Sequence, residues 1–187
     1  MSVWRSKTDG TEAQKLTDGS DAFSVQASPD SRNIYYTARA DSVFSQHLWR
    51  AATDGKDPVR LTTKTTLQPR ISPDGKSIAC YHPTREGGPP VLSILNAETG
   101  AIVRQFPDRK NDFSHEWLAN GRELLVLSRS GSGARLTKLS LDTGDARLLR
   151  DWANESIFRM ALSPGGDRLF YEKGVSVNNV LLLSNAN

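Results

Sequence analysis

The chain has 187 residues, 37% hydrophobic and 24% charged, the balance of a globular domain and not of a disordered one. Its net charge is +3 and its 24 Lys and Arg are scattered, with Arg109-Lys110 the only adjacent basic pair; nucleic-acid binding, which needs a clustered basic face, is not expected. No apolar run approaches the ~18 residues of a membrane helix and the N-terminus lacks a signal-peptide core, so no membrane contact by this segment is expected.

Residues 3–17 (VWRSKTDGTEAQKLT) match residues 48–62 (LWRAATDGKDPVRLT), with Trp4 over Trp49, Arg5 over Arg50 and Gly10 over Gly55. Each stretch reads as an extended segment, a turn at Asp-Gly and a second extended segment ending in Leu-Thr. They are the third and fourth strands of a unit whose first complete copy follows. In that copy Phe23–Ala27 is the inner strand, Ser28-Pro29-Asp30-Ser31 a turn and Asn33–Thr37 the second strand. His47–Ala51 is the third strand and Val59–Thr62 the fourth. Residues 40–51 have some helical propensity, but the match to residues 3–17 makes the third strand the expectation.

The next copy has the clearest turn, Ser72-Pro73-Asp74-Gly75, between Leu67–Ile71 and Ser77–Tyr81. Ser at the first position, Pro fixing φ near −65° at the second, Asp accepting local amide bonds at the third and Gly with φ > 0 at the fourth suit a tight type I turn. Cys80, the only cysteine, lies among apolar residues and reads as a small buried hydrophobe; no intrachain disulfide exists. Pro83–Pro90, rich in Gly and Pro, and Ser128–Ala134, rich in Ser and Gly, read as mobile surface loops between second and third strands. The last copy has Val180–Leu183 as its third strand.

Three markers share one period. The turns begin at Ser28, Ser72, Leu118 and Ser163, with spacings of 44, 46 and 45 residues. Glycines at Gly10, Gly55, Gly100 and Gly144 are spaced by 45, 45 and 44. Each glycine is followed by an apolar position, at Leu16, Leu61, Phe106 and Leu149. A unit of this length predicts an all-β fold, a β-propeller of four-stranded antiparallel blades with about four blades per chain. The expected division is a partial blade at 1–17, full blades at 18–62, 63–106 and 107–150, and a partial blade at 151–187. This makes seventeen strands where four blades need sixteen, with the Leu16 strand lying beside Val180–Leu183. The surplus suggests a fragment or half of a larger ring, with two outcomes: a strained four-blade ring, or, the favoured one, a homodimer paired head to tail into a ring of about eight blades.

Alternation along the inner strands divides their side chains between two faces. One set, Val25/Ala27, Pro69/Ile71, His115/Trp117 and Met160/Leu162, is largely apolar and is expected between blades. Ile34, Ile78, Leu124 and Leu169, beyond the turns, are expected to join it. The other set is largely polar and is expected to line the central channel. From it Gln26, Gln68, Arg70, Glu116 and Arg159 are the candidate ligand-binding residues, with Arg70 and Glu116 placed to pair between neighbouring units.

Catalysis needs a nucleophile with a base, paired carboxylates or clustered metal ligands. His47, His82 and His115 occupy inequivalent positions, and there is no GxSxG, HExxH or glycine-rich phosphate loop. His115-Glu116 is the only pair from which a site could start, and neighbours on a strand point to opposite faces. No catalytic residue, metal site or cofactor is therefore expected. Asp9, Asp30, Asp54 and Asp74 read as turn-formers.

The inner strand, Ser-Pro-Asp-Gly, the apolar second strand, Asp-Gly and Leu-Thr together resemble the WD-repeat-like β-propeller repeat of the TolB family. The resemblance covers essentially the whole chain and is weakest where Leu118-Ala119-Asn120-Gly121 replaces the turn. The ending KGVSVNNVLLLSN is similar to the close of propellers carried C-terminally by bacterial serine/threonine kinases and winged-helix regulators. The resemblance implies a non-catalytic protein- or peptide-binding or sensor module, part of a larger bacterial regulatory protein. The alternative is a small propeller hydrolase or lyase with its site at the channel mouth.

Overall fold

The computed structural model describes residues 1–17, 21–39, 45–109, 111–163 and 165–174. All of its regular structure is β. Three four-stranded antiparallel sheets follow one another along the chain. The first comprises β3 (Ala22–Ala27), β4 (Asn33–Arg39), β5 (Gln46–Ala52) and β6 (Val59–Arg60). The second comprises β7 (Leu67–Ile71), β8 (Ser77–Pro83), β9 (Pro90–Asn96) and β10 (Ile102–Phe106). The third comprises β11 (Asp112–Trp117), β12 (Glu123–Ser130), β13 (Gly133–Ser140) and β14 (Ala146–Trp152). Among the described residues a two-stranded sheet stands at each end, β1 (Trp4–Arg5) with β2 (Gln14–Lys15), and β15 (Ser156–Leu162) with β16 (Leu169–Gly174). The inner strands β3, β7, β11 and β15 lie side by side in that order, as in consecutive propeller blades. The expected strand Val180–Leu183, and with it the proposed pairing to the Leu16 strand, lies outside the described residues.

The turns form as their residues dictate. Ser72 Oγ donates to Asp74 Oδ1 at 2.5 Å, Asp74 Oδ1 accepts the Lys76 amide at 3.0 Å, and Gly75 takes φ +74°. Ser28 and Asp30 repeat the first contact at 2.6 Å, and Ser31 is held at φ +59° in the place of the glycine. Asp9, Asp30, Asp54 and Asp74 each accept bonds within their own turns, which lower their carboxyl pKa values. Residues 128–134 are not a loop. β12 and β13 run on to a tight reversal at Gly131-Ser132, pairing Ser130 with Gly133, because Gly131 adopts φ +58°.

The core consists of interblade layers. Tyr35, Leu48 and Leu61 of the first full sheet pack on Ile78, Cys80 and Leu95 of the second. Ala79, Leu92, Ile94 and Phe106 pack on Trp117, Leu124 and Val126 of the third. Leu125, Leu127, Leu136 and Trp152 pack on Ile157 and Met160 of the last. Along each second strand alternate residues therefore serve the preceding and the following blade. Ile34, Ile78, Leu124 and Trp117 are buried as expected, while Ile71, Leu162 and Leu169 are half-buried.

Val25 and Ala27 depart from expectation. Both are exposed, Val25 at 52%. Their counterparts face the preceding blade, and the sheet before β3 supplies only β1 and β2, with no inner strand to cover them among the described residues.

Two of the periodic markers also meet across blades. A Cβ on Gly55 would stand 2.7 Å from the Leu16 carbonyl oxygen, and one on Gly100 would stand 2.1 Å from that of Leu61. The glycines of these two turns rest on backbone at the end of the outer strand of the blade before them. The shared period of these markers is a contact as well as a repeat.

Candidate functional site at the propeller axis

Each inner strand carries one extra residue. The register shifts between Phe23 and Gln26, Leu67 and Arg70, Asp112 and Ser114, and Ile157 and Arg159. Ser24 (φ +51°) and Gln68 (φ +50°) take left-handed backbone at these bulges. A bulge breaks strict alternation and re-aims the side chains on either side of it. Consequently Ser24, Gln68, Ser114 and Arg159, each four residues before its turn, all line one cavity of about 510 Å³. Four equivalent positions from four consecutive blades can meet only at the axis.

Of the five candidate residues, the structure brings Gln68, Arg70 and Arg159 into this lining. Gln26 and Glu116 lie outside it and act between blades. Gln26 Oε1 accepts the Ile71 amide at 3.0 Å, and Glu116 Oε1 lies 3.5 Å from Arg70 Nε. Burial raises the Glu116 carboxyl pKa, against the opposing pull of Arg70. The expected Arg70–Glu116 pair is thus present.

Sequence reasoning missed Arg129, Phe113 and Phe158, which line the cavity together with Met160, a residue expected between blades. Arg129 lies over the Phe113 ring, 5.4 Å from its centroid, and Phe158 is 50% exposed. The signal available was a Phe five residues before the turn in three units, Phe23, Phe113 and Phe158. Simple alternation from the turn places that position on the face opposite the channel-lining residues; the bulge brings Phe113 and Phe158 to the cavity.

The histidines have separate surroundings. His115 Nε2 meets the Ala79 carbonyl at 3.1 Å, and burial lowers its pKa to about 4. Strand alternation turns Glu116 away from it, toward Arg70. His82 Nδ1 meets Thr66 Oγ1 at 3.0 Å, and His47 Nε2 meets Ser45 Oγ at 3.2 Å. Among the described residues no group of three or more His, Cys, Asp or Glu could hold a metal ion. Burial raises the Cys80 thiol pKa far above its ordinary value, so it stays protonated.

The blade-by-blade arrangement agrees with solved structures. TolB from Acinetobacter baumannii superposes with a TM-score of 0.69 at 20% identity, over 90% of this chain and 42% of that one. A TolB-type protein from Agrobacterium tumefaciens gives 0.72 at 18% identity, over 94% and 66%. The fold is a TolB-like β-propeller. A prolyl endopeptidase matches at 0.68 and 14% identity, over 92% of this chain and 29% of its own. The chain thus spans 42% and 66% of the lengths of the two TolB structures. No family profile matches the sequence, and no curated protein matches it. Since a TolB and a peptidase share this propeller architecture, the fold by itself does not choose between binding and catalysis.

Proposed function

We propose that the chain is a non-catalytic protein- or peptide-binding propeller module, part of a larger bacterial regulatory protein. The observation that carries this reading is the axial cavity, into which each of four blades sends a polar side chain from the same repeat position. Such a site presents hydrogen-bond donors from four strands to one ligand. The separation of His115 from Glu116 also speaks against the hydrolase or lyase alternative. The test is calorimetric screening of the purified chain against a peptide library, with peptidase and esterase substrates assayed in parallel. Binding that Arg159→Gln and Gln68→Ala weaken supports the module. Turnover abolished by changes at the axis favours the enzyme.

A second copy of the chain is a further proposed partner. Phe170 occupies the position of Tyr35, Ala79 and Leu125, which are 5%, 0% and 6% exposed beneath a following blade, yet Phe170 is 60% exposed. At the other end of the arc, Val25 is exposed on a face that elsewhere meets a preceding blade. Head-to-tail pairing covers both. Light scattering that gives twice 20.6 kDa, reduced to 20.6 kDa by Phe170→Asp, supports pairing; a monomeric wild-type chain overturns it.

A further inference from the structure

The axial cavity has an unbalanced charge. Arg70, Arg129 and Arg159 line it, and no Asp or Glu does. Arg70 is engaged by Glu116 at 3.5 Å. Arg129 and Arg159 have no carboxylate partner among the described residues; Arg129 has only the Phe113 ring beneath it. Two guanidinium groups without a carboxylate partner thus share one cavity where four blades converge.

The other lining groups suit the same kind of ligand. Ser24, Ser114 and Gln68 supply two hydroxyls and an amide that make no side-chain hydrogen bond among the described residues. A guanidinium lying against an aromatic ring leaves its N–H edge free for a planar, bidentate acceptor. Phe158, half exposed on the cavity wall, offers an apolar surface beside these donors.

From this arrangement we infer that the cavity binds a peptide carboxylate, with Arg129 and Arg159 as the charge-bearing contacts, Ser114 and Gln68 as neutral donors and Phe158 under the adjoining apolar side chain. The inference rests on the peptide-binding reading for its ligand, while the anion site itself can be tested separately. The carboxylate can come from an acidic side chain or from a free C-terminus, and both present the same planar pair of oxygens. Loss of one charge-assisted contact weakens binding about tenfold to a hundredfold.

The experiment has two arms on the full chain, with circular dichroism confirming that each variant is folded. In the first, the melting midpoint is followed with glutarate against chloride at equal ionic strength. Glutarate should raise the midpoint of the wild type and of the control Arg32→Gln, whose arginine is exposed near Asp30, but not of Arg129→Gln or Arg159→Gln. In the second, calorimetry compares acetyl-Gly-Phe-Glu as the free acid, its C-terminal amide, and the Gln counterparts in both forms. The peptides bearing a carboxylate should bind, the doubly neutral peptide should not, and the order of the two singly charged forms identifies the source. A glutarate effect lost in both arginine variants, with no peptide bound, keeps the anion site and overturns its peptide ligand. Equal binding of the neutral peptide keeps peptide binding and overturns the carboxylate. No glutarate effect on the wild type, or one that survives in both arginine variants, overturns the assignment of the site.

Discussion

The indole Nε1 of Trp117 donates a 2.8 Å hydrogen bond to the carbonyl oxygen of Arg70, across the seam between the second and third full blades. Trp117 is 9% exposed and packs in the same layer as Ala79, Leu92 and Phe106. One side chain thus fills the seam and satisfies an inner-strand carbonyl. Trp117→Ala should cost about 3–5 kcal/mol through the cavity it leaves. Trp117→Phe should recover most of the packing but lose the hydrogen bond, about 1 kcal/mol. Urea unfolding of the three proteins checks this order, and a Trp117→Ala midpoint equal to wild type would remove the residue from the core.

Gly100 combines φ +72° with backbone contact across a seam, a Cβ there falling 2.1 Å from the Leu61 carbonyl oxygen. Gly100→Ala adds left-handed strain to a forced separation of blades, together about 2–4 kcal/mol. Gly10 has φ +83°, but a Cβ there would meet nothing within 4 Å, so Gly10→Ala should show the backbone cost alone, about 1 kcal/mol. A thermal melt separates the two; equal losses would mean that the seam contact contributes nothing.

Ser31 holds φ +59°, where Gly75, Gly121 and Gly166 stand in the other turns. Ser31→Gly removes a strain of about 1 kcal/mol. The greater freedom of glycine in the unfolded chain offsets part of that gain. The net expectation is a stabilisation below about 1 kcal/mol, read as a small rise in the urea midpoint. A fall would show that the turn holds Ser31 without strain.

His115 should make stability depend on pH. Burial chiefly lowers its pKa from 6.5 to about 4, with Arg70 adding a smaller push and the Ala79 contact opposing it. The folded state therefore resists a proton that the unfolded state accepts below about pH 6.5. Stability is lost as pH falls from about 6.5 to about 4, by up to roughly 3 kcal/mol. Asp112 and Glu116 act in the opposite sense, since burial raises their carboxyl pKa values and the folded state takes up their protons first on acidification. The informative quantity is the difference between wild type and His115→Phe. It should change across this window, and a pH-independent difference would place the histidine's titration elsewhere.

How much was legible in the sequence follows the range of the interactions. The turn at Ser72-Pro73-Asp74-Gly75 is local: Pro73 fixes φ, Asp74 bonds amides two residues on, and Gly75 takes left-handed backbone. Repeated at one period, such turns determined the blades, the order of their strands and the burial of Ile34, Ile78 and Leu124. The sequence also determined that Arg70 and Glu116 hold equivalent positions in neighbouring units, which made their pairing readable.

The tertiary structure alone decided which of these positions share a space. Ser24 and Gln68 carry no sequence mark of the bulge they form, because a bulge is selected by how the inner strand bends to meet its neighbours around the axis. That one extra residue per strand breaks the alternation by which faces are counted, so Phe113 and Phe158 join Ser114 and Arg159 at the cavity, while Gln26 and Glu116 turn to the seams. Val25 shows the same limit from the other side. Its apolar character and its place in the repeat match those of buried counterparts, but a residue is buried only if another blade stands against it.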